Sequence, residues 1–235
     1  MSKRDAGSGM TRPEKIGGGV LLAVYLAVLP ETSDHLFSFL ERLLGSELQV
    51  SARDMVCCCV LFCLTLAVFH GYLRRTAKSF FDHIGSALGA AGLGLIAFYG
   101  LNELSWRVLR MVPGEWENLN DRSILDRLAA AQYSTVLIVV ILSPVMEEAL
   151  FRGYIFGNLR EYHRGAAYGF SCVLFALAHV WPHIAGSPDW KHLLLLAQYL
   201  LPGAVMAWTF ERSGSLWGSI LLHGIVNGLS VWRAV

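Results

Sequence analysis

Residues 133–160 read YSTVLIVVILSPVMEEALFRGYIFGNLR, an apolar run that holds two adjacent glutamates and an arginine. As a helix, roughly 20 apolar residues cross the hydrocarbon core of a bilayer, and a charge placed there costs several kcal/mol unless it is paired or wetted. Glu147, Glu148 and Arg152 are therefore candidates for function. Successive helical residues turn by about 100°, so Glu148 and Arg152 share a face one turn apart and can pair, while Glu147 points to an adjacent face. A structural ion pair accounts for one glutamate and the arginine. The second glutamate is left over, free for chemistry. Pro144 removes a backbone donor just upstream and is expected to kink the helix beside the acids.

The whole chain shares the apolar character of this stretch. Of its 235 residues 54% are hydrophobic and only 16% charged, with a mean hydropathy of +0.48, which excludes an ordinary soluble domain. A net charge of +1 without a long basic block argues against nucleic acid as a partner. Cys57, Cys58, Cys59, Cys63 and Cys172 all fall in apolar runs with no metal-type spacing, and read as packing residues. The basic first fifteen residues are followed by no clear small-residue cleavage site, so the first apolar run is expected to be retained as a span.

Apolar runs recur at 16–30, 55–73, 84–101, 133–159, 166–181, 192–210 and 216–232. The expected architecture is all-α: a polytopic membrane helix bundle of about seven to eight transmembrane helices, with 1–235 forming a single integral membrane domain and 133–232 its catalytic core. Within the longer connectors, HLFSFLERLLGSEL (35–48) and ELSWRVLRMV (103–112) look amphipathic and are expected to lie on the membrane as interfacial helices. With the amino terminus in the cytoplasm, ten lysines and arginines fall on the inner side and eight are spread over longer outer segments, so that orientation is favoured. Trp181 and Trp190 would flank an outer loop, and Trp208 and Trp217 an inner turn. The connector 102–132 would then sit above the acidic helix as a lid or docking platform, with entry from the outer face.

Two further polar pairs interrupt apolar runs. Phe175 and His179 are one turn apart in FALAH, as are His223 and Asn227 in HGIVN. Counting about 1.5 Å per residue, Glu147, His179 and His223 overlap in the middle to outer half of a membrane about 30 Å thick. A carboxylate and a neutral imidazole can together hold a water and take its proton. His223 and Asn227 can donate to the oxyanion that forms when that water attacks a carbonyl. The set suits hydrolysis of an acyl or peptide bond within the bilayer and requires no serine or cysteine nucleophile. Glu147, His179 and His223 would also serve as a two-histidine, one-carboxylate zinc set, although no HExxH pair exists.

EEALFR (147–152), Phe175 with His179, and His223 with Asn227 reproduce in order the motifs EExxxR, FxxxH and HxxxN. Together they resemble the CPBP family of intramembrane proteases, named for CAAX proteases and bacteriocin processing, over roughly residues 133–232. The resemblance implies that Glu147 and His179 activate the water, that His223 and Asn227 form the oxyanion site, and that Glu148, Arg152 and Phe175 support them. It implies a glutamate-type enzyme without cofactor, zinc being the alternative, acting on a membrane-anchored protein or peptide near its C-terminal region. The expected location is a bacterial inner membrane, multi-pass, with the lipid bilayer as the other partner. A transporter or proton relay, and a non-catalytic immunity or scaffold protein of the same fold, are the competing readings, because intramembrane Glu and His also mark ion pathways.

Overall fold

The computed structural model describes residues 9–112, 116, 119–186 and 191–234, among which every regular element is a helix. In chain order these are α1 (Arg12–Leu44), α2 (Val50–Asp82), α3 (Ile84–Leu109), α4 (Leu119–Ala130), α5 (Gln132–Leu159), α6 (Arg164–Gly186), α7 (Lys191–Ser213) and α8 (Leu216–Ala234). Each of the seven apolar runs lies within a helix. By length and composition, α2, α3 and α5 are the helices long and apolar enough to cross a membrane among the described residues, against an expected seven to eight. Leu64, Leu88, Leu93 and Ile96 on α2 and α3 face outward. Apolar surface on this scale suits hydrocarbon and not water, so the chain is an integral membrane protein.

The two expected interfacial helices are not separate elements. Residues 35–44 continue α1, which runs helically through Pro30 to Gly45, where a left-handed φ of 67° lets the cap N–H bond the Glu41 carbonyl. An interior proline removes one hydrogen bond but need not end a helix with helix formers on both sides. Residues 103–109 likewise continue α3, where no glycine or proline intervenes after Gly100 and Glu103 pairs with Arg107 at 2.9 Å. The separate short helix of the long connector is α4. Pro202 lies inside an unbroken α7. Trp190 falls outside the described residues, and all five cysteines are free.

Helix α5 is the centre of the bundle. Most of its apolar window is buried inside the protein, whereas α2 and α3 turn most of theirs outward. Phe151 and Phe156, both fully buried, anchor it edge-to-face against Phe175 of α6 and Phe210 of α7, contacts worth about 0.5–1.5 kcal/mol each beyond their area. Helix α7 packs against α3, α6 and α8. The tight turn into α8 passes through Gly214 at a φ of 69° and is pinned to α2. There the Ser215 hydroxyl donates to the Thr76 carbonyl at 2.6 Å, and the Trp217 indole donates to Leu73 at 3.1 Å. This anchorage sets the height of α8, and so of His223, against the acidic helix.

At its start α1 carries a capping box, with Thr11 and Glu14 satisfying each other. Arg75 of α2 donates to the same Glu14 carboxylate at 2.6 Å. Burial alone would raise the Glu14 pKa, but the bonds from Thr11 and Arg75 outweigh it and hold the carboxyl below its ordinary value. A depressed folded pKa gives stability that is complete above the unfolded value and disappears as pH falls through the folded one. The melting temperature in detergent is expected to drop in that acid window for the wild type. Glu14→Gln should melt lower at neutral pH and lose less on acidification; parallel pH profiles would show that this contact contributes nothing.

Candidate active site

Two stretches of α5, Ile138–Leu142 and Glu148–Phe156, are π-helical, with Ser143–Glu147 an α-helical turn between them. Such widened turns are uncommon and cluster at functional sites. Chemistry explains the first. In an α-helix the Val140 carbonyl would accept from residue 144, which is proline and has no N–H. The neighbouring Val139 carbonyl takes its bond from the Asn227 side chain of α8, with Nδ2 donating at 2.8 Å. The Val140 carbonyl faces Gly224, where a Cβ would lie only 3.0 Å from the oxygen. Pro144 thus produces a local widening against which α8 fits closely, and not merely a kink.

Glu147 and Glu148, adjacent in sequence, enter different surroundings. The Glu148 and Arg152 side chains are both fully buried and pair at 3.1 Å. Arg152 donates in addition from Nη2 to the Gly203 carbonyl of α7 at 3.0 Å, and its guanidinium lies 4.3 Å from the centre of the Phe175 ring. The same oxygen of Glu148 that meets Arg152 accepts from His223 Nδ1 at 2.9 Å. The first motif therefore supports the third: the arginine fixes a carboxylate, and the carboxylate fixes an imidazole.

Glu147 faces the other way. Its Oε2 is buried without a hydrogen-bond partner, 3.6 Å from His179 Nε2 and 3.9 Å from His223 Nε2. Both rings have their other nitrogen committed, His179 Nδ1 donating to the Phe175 carbonyl at 2.8 Å and His223 Nδ1 to Glu148. Those bonds set the tautomers, so each neutral ring presents an acceptor Nε2 toward Glu147. Three acceptors around one point, too far apart to bond directly, are spaced to share a water, which supplies two hydrogens. Tyr25 of α1 lines the same cavity as Glu147, and Tyr199 stacks on His179 at 4.9 Å.

These groups open on a cavity of about 430 Å³ lined also by Asn227 and Gln198, and by Ser123, Ile124 and Arg127 of α4. The connector therefore does reach the site. A second, more apolar cavity of about 730 Å³ adjoins it, sharing Tyr25, Ser143 and Ala178 and reaching Leu61 and Trp181. Every sequence-predicted site residue lies in this region: Glu147, His179, His223, Asn227 and Phe175 line the first cavity, and Glu148 and Arg152 lie directly behind it. The sequence reading did not single out Tyr25, Tyr199 or Gln198. For the tyrosines no local signal exists, whereas Gln198 is an amide in the apolar run LLLLAQYLLPG (193–203) and was open to notice. No group of three His, Cys, Asp or Glu among the described residues is arranged to hold a metal ion.

Fold and site together define an integral membrane helical protein with a buried glutamate–bis-histidine cluster suited to activating water. Residues 129–229 match the family model of Rce1-like proteins, described as type II CAAX prenyl endopeptidases. All three motifs lie inside that stretch, and over it the resemblance to the CAAX protease and bacteriocin-processing family holds. The Bacillus subtilis (strain 168) protein named "Putative membrane peptidase YdiL" is 32% identical over 112 residues, 47% of this chain and 41% of that one. The UPF0177 protein YxdF of Lactococcus lactis subsp. lactis (strain IL1403) is 26% identical over 67% of this chain and 81% of its own length. An uncharacterised 24.3 kDa protein of Escherichia coli is 33% identical over 44% of this chain and 43% of its own. The alignments thus span less than half of the Bacillus and Escherichia relatives. No solved structure matches the chain.

Proposed function

We propose that this protein is an intramembrane endopeptidase of glutamate type, which hydrolyses a peptide bond near the C-terminal region of a membrane-anchored protein or peptide. The observation that carries the reading is the convergence of both imidazole Nε2 atoms on Glu147 Oε2 at 3.6 and 3.9 Å, inside a membrane bundle. A water held there passes one proton to Glu147 as its oxygen attacks the scissile carbonyl carbon. The resulting oxyanion takes a hydrogen bond from Asn227, whose amide has one hydrogen left after bonding Val139. His223, if it gains a proton, becomes a second donor, and the Glu148 carboxylate behind it stabilises that charge. Collapse of the intermediate breaks the C–N bond, and the leaving amine receives the proton from Glu147.

The adjoining apolar cavity supports a substrate whose anchor stays in the lipid while its peptide portion enters beside α4. In a bacterial inner membrane with the amino terminus in the cytoplasm, that entry is from the outer face. The relative's name and the Rce1-like match agree with proteolysis. The purified protein in proteoliposomes should cleave a membrane-anchored reporter, and His179→Ala should slow it about 10²–10³-fold, the ordinary contribution of a group that positions and deprotonates water. Equal rates for wild type and variant would sink the proposal.

A further inference from the structure

Gln198 is a buried polar group beside the site, and the mechanism above leaves it unused. It is 6% exposed, its side-chain nitrogen has no hydrogen-bond partner, and it lines the cavity that holds Glu147, His179 and His223. A buried amide left unsatisfied is destabilising, so something must compensate at a site that keeps one. Pro202, one turn further along α7, lines the same cavity. Having no N–H, it leaves the Gln198 backbone carbonyl without its usual helical donor. Gln198 thus brings an unused side-chain donor to the cavity wall, one that a substrate carbonyl oxygen would satisfy. Its neighbour Tyr199 is stacked on His179, which fixes this part of α7 against the water-activating ring.

We infer that Gln198 is a further catalytic residue, whose amide donates to the oxyanion from the α7 wall while Asn227 donates from α8. The inference rests on the proposed peptidase reading. An oxyanion accepts more than one hydrogen bond, and Asn227 has a single hydrogen to give because the other is bound to Val139. His223 donates only when protonated, so a donor position is left for a neutral group on the α7 wall. Because the bond strengthens as charge develops on the carbonyl oxygen, its loss acts on kcat more than on KM.

The test compares wild type, Gln198→Met, Gln198→Glu and Glu147→Gln in proteoliposomes on one anchored reporter peptide, with melting temperatures recorded for each. Methionine keeps the volume and removes the donors, and glutamate turns a donor into an acceptor. The expected result is a fall in kcat on the order of 10²–10³-fold for Gln198→Met, a larger fall for Gln198→Glu, and KM within about threefold of wild type. A phosphonate analogue of the peptide, mimicking the tetrahedral intermediate, should lose affinity for Gln198→Met by a similar factor while the uncleaved peptide does not. Unchanged kcat and analogue affinity in the Gln198 variants, with Glu147→Gln inactive, overturn this inference and leave the peptidase standing. A loss confined to KM also overturns it. Full activity in Glu147→Gln removes the peptidase reading, and this inference with it.

Discussion

Glu147→Gln is expected to leave the bundle folded and to reduce reporter cleavage on the order of 10⁴-fold, the upper end of what one general base contributes. The substitution keeps shape and volume but ends the ability of Oε2 to take a proton from a water shared with His179 and His223. Its neighbours do not depend on it. Glu148 and Arg152 pair with each other, and each histidine is oriented through Nδ1 by another group. The melting temperature should therefore stay close to wild type. Single-turnover cleavage measured beside a melt decides the matter: a variant that cleaves at more than a tenth of the wild-type rate would show that Glu147 is not the base.

Arg152 should show the opposite pattern, with stability lost first. Its side chain is fully buried and joins Glu148, the Gly203 carbonyl and the face of Phe175. Removing one member of a buried ion pair strands the other charge and costs about 3–5 kcal/mol. Arg152→Ala is expected to give little folded protein, and Arg152→Lys only partial recovery, because an ammonium cannot reproduce a planar fork that spans two helices and stacks on a ring. The double change Glu148→Gln with Arg152→Met should recover much of the stability, since it removes both charges. It should not recover cleavage, because His223 then lacks its carboxylate. Folded yield and melting temperature in detergent check the first claims and the reporter assay the last. A stable, active double variant would show that Glu148 has no part in orienting His223.

The contrast between two neighbouring glutamates shows how far the sequence could be followed. Spacing alone put Glu148 and Arg152 on one face and Glu147 on another, and the structure has the pair at 3.1 Å with Glu147 turned to the cavity. The FxxxH and HxxxN pairs could be aligned in depth because helical rise is fixed, and the two imidazoles do meet the same carboxylate oxygen. Other features have no local signature. The close fit of α8 against the widened turn at 138–142 depends on Asn227, 88 residues away, which donates to the Val139 carbonyl. Amphipathic spacing in 35–48 and 103–112 suggested separate surface helices, but a periodic pattern shows which face is apolar and says nothing about where a helix ends. Most of each segment, 35–44 and 103–109, continues the helix before it. Gln198 could be seen as a polar residue in an apolar run, yet its lack of a partner emerges only from the packing of α7.

Composition, periodicity and three short motifs therefore determined by themselves that this is a helical membrane protein, and which polar side chains share a helical face, because both follow from local geometry and the cost of charge in hydrocarbon. Tertiary structure alone decided which faces meet. The approach of α6 and α8 to Glu147, the arginine bridge from α5 to α7 and the contribution of α4 to the cavity wall all depend on contacts between segments distant in sequence. No pattern of residues within one helix encodes the position of another.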